Sequence, residues 1–315
     1  MSKFDWRGHA SMLGANVMWG MMSPFAKLVL VGGVVTPLVL TDLRVVGAMV
    51  LFWLVSFFQK PERVAPRDMV RLFAASLLAI VFNQGCFVFG VGLTSPGDAS
   101  IITTSMPLWA MIFAAVFLRE PITGRKVLGI LSGAAGALLL IMGSRSGVVA
   151  AGQNAIAGDI LVLCAQMSYA LYLVLFKNFV SRYSLVTTMK WMFTFAFVSL
   201  LPFSAKSFCA TQWTVLSLTD VGAIAFVVCC GTFGSYILVL IGQRLLRPTV
   251  VGMYNYVQPI VAVAFAIYLG LDSFNIAKVF AVALIFGGVF LVTSSKSRRD
   301  LEAEAAKDTI KTNEN

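Results

Sequence analysis

Eight side chains in this chain have the types and settings to recognise a small solute: Asn16, Trp19, Asn83, Gln84, Tyr169, Tyr254, Asn255 and Gln258. Each stands inside or at the edge of a long apolar run. Amides offer paired donors and acceptors, and aromatic rings offer flat apolar faces with a polar tip. The chemistry available is therefore reversible stacking and hydrogen bonding. Asn16, Trp19, Ser23 and Lys27 recur at spacings of three to four and share one helical face. That face either enters a cavity or packs against neighbouring helices, with Lys27 snorkelling to an interface. Asn83 and Gln84 set polar handles beside Phe87, while Thr103, Thr104 and Pro107 interrupt a later run. Gln166, Tyr169, Tyr172, Tyr236 and the Tyr254–Gln258 cluster supply the second half, where an ordinary aromatic packing network competes with solute contact for each tyrosine. Lys190 either snorkels or meets a carboxylate. Arg44 lies well inside an apolar run, where its charge is costly unless it reaches an interface, protein or water. Asp42 is two residues away, on a diverging side of a helix, so the two charges are expected to have different neighbours.

Bond-making chemistry has no comparable support. No Ser-His-Asp or Cys-His set can be assembled, and the one histidine, His9, precedes the first apolar run, where a surface or interfacial position is expected. Five cysteines, four of them within apolar runs, lack metal-ligand spacing and read as packing residues. There is no GxxxxGK motif for nucleotide-driven pumping. We expect no catalytic residues, no cofactor and no metal.

The elements that must position these residues follow from composition. Hydrophobic residues make up 59% of the 315, charged residues 12%, and the mean hydropathy is +0.87. That is a membrane composition. A hydrocarbon core about 30 Å thick needs about 20 helical residues. The runs 11–31, 37–58, 70–92, 97–118, 124–143, 157–177, 185–204, 217–242, 249–269 and 274–294 predict ten spans. Asn83, Gln84 and Ser235 in the third and eighth, and Pro107 and Pro259 in the fourth and ninth, mark where one could be broken or re-entrant. Backbone satisfaction in lipid makes the spans helices, and their length argues against barrel strands. The expected fold class is an all-α membrane protein. No cleavable secretion signal is recognisable, so the N-terminus is expected to be retained.

Basic residues fall on one side of this arrangement. Sixteen, including Lys60, Arg63, Arg125, Arg182 and Arg247, flank one face, against Arg145 and Lys206 on the other. The bias predicts cytoplasmic N- and C-termini. It also spreads the net charge of +10 over short loops rather than a nucleic-acid face, so no nucleic acid is expected as a partner. The segment 295–315 reads as a polar cytoplasmic tail.

A constant spacing of 152 residues pairs Pro96 with Pro248, Pro107 with Pro259, Glu120 with Asp272 and Gly136 with Gly288. A looser match at 150 pairs Asn16 with Gln166 and Trp19 with Tyr169. Two five-span halves must start on opposite sides of the membrane, so the expectation is two inverted repeats, 8–147 and 155–294. That design allows alternating access to a central site. Gly129, Gly133, Gly136, Gly287 and Gly288 are expected to allow close helix approach, for packing or dimerisation.

The Asn16–Gly20 segment, the passage ASIITTSMPLWAMIFAAVFLREP followed by ITGRKVLGILSGAAGALLLIMG, and its relative VVGMYNYVQPIVAVAFAIYLGLD together resemble the EamA-type drug/metabolite transporters over about residues 8–294. The resemblance implies a ten-helix bundle with a central route. Asp272 stands in place of Glu, and YNYVQP in place of TTSMP, so the two halves need not contact a solute equally. The expected function is secondary transport at a bacterial inner (plasma) membrane, exporting amino acids or related small amphipathic metabolites. The alternatives are efflux of lipophilic drugs or organic cations, and a membrane receptor or assembly scaffold. The expected partners are a small-molecule metabolite and the lipid bilayer, with a monomer favoured over a homodimer. Coupling to an ion is left open.

Overall fold

A computed structural model describes residues 5–31, 33–93, 102–143, 155–268 and 276–295. Among these residues all regular secondary structure is helical. We label the helices α1 (Trp6–Val31), α2 (Pro37–Phe57), α3 (Pro66–Ser76, continuing through Leu77–Phe82 into Asn83–Leu93), α4 (Met106–Leu118), α5 (Gly124–Gly143), α6 (Ala155–Leu175) and α7 (Leu185–Ala210). They are followed by α8 (Leu218–Val228, through Cys229–Gly234, into Ser235–Leu245), α9 (Pro248–Met253, Tyr254–Tyr256 and Val257–Tyr268) and α10 (Ile276–Thr293). Five stretches are long and apolar enough to cross a membrane: Pro37–Phe57, Pro66–Phe87, Ile156–Leu175, Leu185–Ala210 and Leu218–Leu245. Met106–Leu118 and Val279–Thr293 are shorter apolar helices. The chain is an all-α, multi-span membrane protein. The 97–101 part of the expected fourth run, the loop around Arg145 and the tail from 296 lie outside the described residues.

Local chemistry sets the helix starts. Proline occupies the first turn of α2, α3, α4 and α9, where its missing N–H has no intrahelical partner to lose. Thr36 caps α2 by accepting from the Val39 N–H, and Ser217 with Asp220 forms a reciprocal capping box on α8. The polar positions singled out in the sequence coincide with helix irregularities. A π-helical segment, Leu77–Phe82, runs directly into Asn83 and Gln84, and a second, Cys229–Gly234, runs into Ser235 and Tyr236. A π turn frees backbone groups and re-aims the side chains that follow. On the proline-bearing helices, the turn at Thr104–Ser105 precedes α4, and a 3-10 turn at Tyr254–Tyr256 divides α9 just before Pro259.

Packing pairs α5 with α10 and α2 with α7, while α3 lies against α6 and α7, α4 against α6 and the start of α9, and α1 against α8 and the rest of α9. Between α5 and α10 the glycines bring backbone against backbone. A methyl on Gly288 would stand 2.5 Å from the Gly129 carbonyl oxygen and 2.8 Å from the Gly133 nitrogen, whereas one on Gly287 would meet nothing within 4 Å. Gly129, Gly133, Gly136 and Gly288 therefore serve helix packing inside one chain, and Gly287 does not. Gly288→Ala is expected to lower stability by about 1–2 kcal/mol through overpacking against rigid backbone. Gly287→Ala should be neutral. Thermal unfolding of the two variants side by side checks this, and equal midpoints would contradict the contact.

Two expectations are corrected. His9 is not at a surface: it is buried within α1, and its Nδ1 lies 2.8 Å from the Tyr254 hydroxyl. The cysteines are free, but Cys164, Cys209 and Cys229 face outward from the bundle instead of packing within it.

One end of α7 is fixed by a carboxylate from elsewhere in the chain. Glu62, between α2 and α3, accepts from the Ser184 N–H at 2.9 and 3.2 Å, while Ser184 accepts from the Thr187 N–H. Partial burial opposes the Glu62 charge. Hydrogen bonds from Thr187 and Ser184, with Arg244 nearby, outweigh that cost and hold its carboxyl below the usual glutamate range. A depressed folded-state pKa means stability that is present above the unfolded value and lost as pH falls through the folded one. Glu62→Gln is expected to cost about 1 kcal/mol at neutral pH, the usual worth of a cap. The gap from wild type should close on acidification below the usual glutamate range, as urea titrations at stepped pH would reveal. A gap independent of pH would contradict the ionic cap.

Candidate functional site

The centre of the bundle is organised around Arg44 on α2. Its Nε donates to the Thr232 hydroxyl at 3.0 Å and an Nη donates to the Gln84 Oε1 at 2.8 Å. Gln84 in turn donates through Nε2 to the Tyr236 hydroxyl at 3.3 Å. Both π segments contribute: Thr232 lies within one, and Gln84 and Tyr236 each follow one by two residues. Arg44 has no carboxylate partner among the described residues; the ion pairs found there are Arg71–Asp68, Arg182–Asp68 and Lys126–Glu120. Asp42 points elsewhere, towards Ser204, and its Oδ2 has no hydrogen-bond partner. The side chain of Arg44 is enclosed by the surrounding helices and keeps partial exposure.

Aromatic residues stand beside this cluster. Trp19 on α1 lies edge-on to Tyr236 at 6.0 Å between ring centroids and to Tyr169 at 6.4 Å, and Tyr236 meets Phe193 at 5.0 Å. The indole N–H of Trp19 is not available to a solute: it donates to the Gly231 carbonyl at 3.1 Å, inside the second π segment. What Trp19 offers is ring area. Tyr169 is buried with its hydroxyl unpartnered, and Tyr172 donates to the Gln243 Oε1 at 2.9 Å.

The remaining sequence-derived residues divide. Asn16 is fully buried, donates to the Met12 carbonyl at 2.8 Å, and accepts from the Gln258 Nε2 at 2.9 Å. Gln258 also lies 3.3 Å from the Asn255 Oδ1, so these three amides form a chain tying α1 to α9. Asn83 donates to the Ala165 carbonyl at 3.0 Å and ties α3 to α6. Tyr254 is occupied by His9. The structure thus gathers Trp19, Gln84 and Tyr169 at one centre, and puts Asn16, Asn255 and Gln258 in a second group that positions α1. Asn83 and Tyr254 act as separate ties. Lys190 does not reach the centre: its ammonium sits 4.7 Å from the Trp53 ring, whose N–H donates to Thr194. From sequence, Arg44 fits either an interface or a cavity, its charge within an apolar run being the signal, while Thr232 carries no such signal.

No group of three or more His, Cys, Asp or Glu that could hold a metal occurs among the described residues. Polar and aromatic side chains held around an internal cation by apolar helices give a multi-span membrane protein with a polar interior. The model of the EamA-like transporter family matches residues 6–142 and 156–294, and the chain belongs to that family, whose members are transporters and not enzymes. An uncharacterized transporter YvbV of Bacillus subtilis (strain 168) is 26% identical over 290 residues, covering 90% of each chain. Another from that organism, YetK, is 22% identical over 269 residues, 84% of this chain and 80% of the relative. A WAT1-related protein of Arabidopsis thaliana, At3g53210, is 22% identical over 76% of this chain and 73% of its own. One solved crystal structure shares the fold, with a TM-score of 0.74 at 18% identity, over 91% of this chain and 96% of that one.

Proposed function

We propose that the protein is an inner-membrane secondary transporter that exports small amphipathic metabolites, with amino acids or related compounds as the substrate class, by alternating access. In this reading the spans number ten, in two inverted five-helix repeats at 8–147 and 155–294, with both termini cytoplasmic and a complete route in a monomer. The carrying observation is the seam at the site: Arg44 and Gln84 from the first half meet Thr232 and Tyr236 from the second. Repeat-related positions also meet each other, since Gln84 and Tyr236, and Thr104 and Tyr256, are hydrogen-bonded at a separation of 152. The packing of α1 on α8 and α9 has its counterpart in α6 on α3 and α4, and α2–α7 and α5–α10 pair across the halves. A site on such a seam is exposed first to one side and then to the other when the halves exchange conformation.

The recognition set remains Asn16, Trp19, Asn83, Gln84, Tyr169, Tyr254, Asn255 and Gln258. Trp19, Gln84 and Tyr169 contact the solute in this account, and the others hold the helices that carry them. Efflux of organic cations is disfavoured by one observation: a guanidinium without a carboxylate partner among the described residues stands where the cation would sit. Purified protein in liposomes, given a panel of radiolabelled amino acids and related metabolites under imposed pH and voltage gradients, is expected to show saturable flux for some members. Organic cations should not compete. Absence of saturable flux across the panel, or flux restricted to organic cations, would contradict the reading.

A further inference from the structure

The guanidinium of Arg44 has five N–H donors, and two of them are engaged, by Thr232 and Gln84. Among the described residues no carboxylate pairs with this charge, and its remaining donors have no hydrogen-bond partner there. Gln84 has a second role. It also lines a cavity of about 210 Å³ between α2, α3 and α7, whose walls include Leu38, Phe82, Phe89, Leu200 and Phe203. The lining is almost wholly apolar apart from Gln84 and Thr41, and Phe82, Phe89 and Phe203 are exposed on the outer surface of the bundle. Gln84 is thus shared by two features, the cation of Arg44, which it holds by a hydrogen bond, and an apolar slot that opens towards the membrane.

Resting on the transporter reading above, and narrowing its substrate class away from zwitterionic amino acids, we infer that the substrate is a monocarboxylate with an apolar body, its carboxylate paired with Arg44 and its body lodged in the slot beside Gln84. Charge count selects the anion. One carboxylate neutralises one guanidinium in a low-dielectric setting, a dianionic phosphate monoester leaves an excess negative charge, and a zwitterion brings an ammonium for which the described residues of the cluster supply no carboxylate. Geometry agrees, because a guanidinium with adjacent free N–H groups accepts a carboxylate in fork fashion. The slot excludes short polar acids from the gain that an apolar body receives on leaving water. Gln84 joins the two parts, since its carbonyl holds Arg44 while its side chain forms part of the slot wall.

The test uses the full-length protein in detergent, with ligand binding followed by intrinsic tryptophan fluorescence and flux measured in liposomes. The probes are 3-phenylpropanoate, its carboxamide, phenylalanine and 2-phenylethyl phosphate. Wild type should bind phenylpropanoate at least about tenfold more tightly than each of the other three, the minimum for losing a charge-assisted pair. Arg44→Gln should bring phenylpropanoate and its amide to within about threefold, while Arg44→Lys, which keeps the charge without the fork, retains part of the preference. Gly85→Leu addresses the slot independently: Gly85 lines the cavity and a Cβ there meets nothing within 4 Å, so bulk can be added at the cavity wall. It should weaken phenylpropanoate binding about tenfold or more and leave competition by acetate unchanged. Equal binding of acid and amide by wild type, or an acid preference that survives in Arg44→Gln, overturns the Arg44 pairing. Tighter binding of phenylalanine or the phosphate ester overturns the monocarboxylate assignment while the transporter reading stands. An unaffected Gly85→Leu variant overturns the slot. If nothing in this series binds or moves but other metabolites show saturable flux, the substrate class is wrong and the transport reading survives; if no metabolite moves, both fall.

Discussion

Glu120→Ala is expected to destabilise the protein by about 3–5 kcal/mol, the cost of leaving a buried charge without its partner. The Lys126 ammonium, on a side chain 2% exposed, donates to the Glu120 Oε2 at 2.8 Å and to the Pro121 carbonyl at 3.0 Å. These contacts close the connection between α4 and α5, where Arg119 takes a left-handed conformation (φ 52°) to end the first of these helices. Removing the carboxylate strands the ammonium in protein. The double variant Glu120→Ala with Lys126→Met, which removes both charges and keeps the bulk of the lysine stem, should recover most of the loss. Thermal unfolding of wild type, single and double variants forms the test. A single variant that unfolds with the wild type would contradict the buried pair, and a double variant as weak as the single would show that the charge is not the cause.

Trp19→Ala should reduce substrate affinity about thirtyfold or more, the scale on which a central aromatic contact of about 2 kcal/mol is felt. The ring is edge-on to both Tyr169 and Tyr236, so its loss also removes the wall that keeps those two rings in place. Because the indole N–H is bonded to Gly231, Trp19→Phe should retain most of the affinity and lose some thermal stability instead. The two variants therefore separate contact from support. Binding measured at matched amounts of folded protein decides it, and unchanged affinity in both would remove Trp19 from the recognition set. Asn16→Ala should act differently: its amide holds Gln258 and the Met12 carbonyl, so it should loosen α1 against α9 and impair the same substrates indirectly.

Helix identity was legible because apolar length is a one-dimensional property. The run 124–143 coincides with α5 to the residue, and α2 ends one residue before the expected 58. Where polar residues belong to a helix, length read from hydropathy falls short: α1 begins at Trp6 rather than 11 because Arg7 and His9 are within it, and α7 continues past Pro202 and Lys206 to Ala210. The broken helices were signalled by Pro107 and Pro259. The π segments were foreshadowed only indirectly, by Asn83, Gln84 and Ser235 standing where apolar residues would otherwise continue.

Site membership was less legible, since hydrogen-bond partners lie on other helices. Asn16 and Tyr254 have the right chemistry for recognition, yet Gln258 and His9 claim their polar atoms. A sequence cannot distinguish an amide that is satisfied by a neighbour 242 residues away from one that faces open space. Arg44 is the converse case. Its position in an apolar run marked it as anomalous, but only the placement of Thr232 and Gln84 turns it inward. The repeat spacing was informative in a different way, because Gln84 and Tyr236, one spacing apart, hydrogen-bond to each other.

The central claim is carriage through a route that opens alternately to the two sides, and substrate counterflow tests it most directly. Liposomes holding the protein and preloaded with unlabelled substrate are diluted into a trace of the same compound in labelled form. A carrier that must return loaded predicts transient accumulation of label above its equilibrium level, followed by decay as the unlabelled pool drains. Trp19→Ala at the same folded amount should give a much smaller transient. Label that merely rises to equilibrium without overshoot, or does not enter at all, would contradict alternating access by this protein.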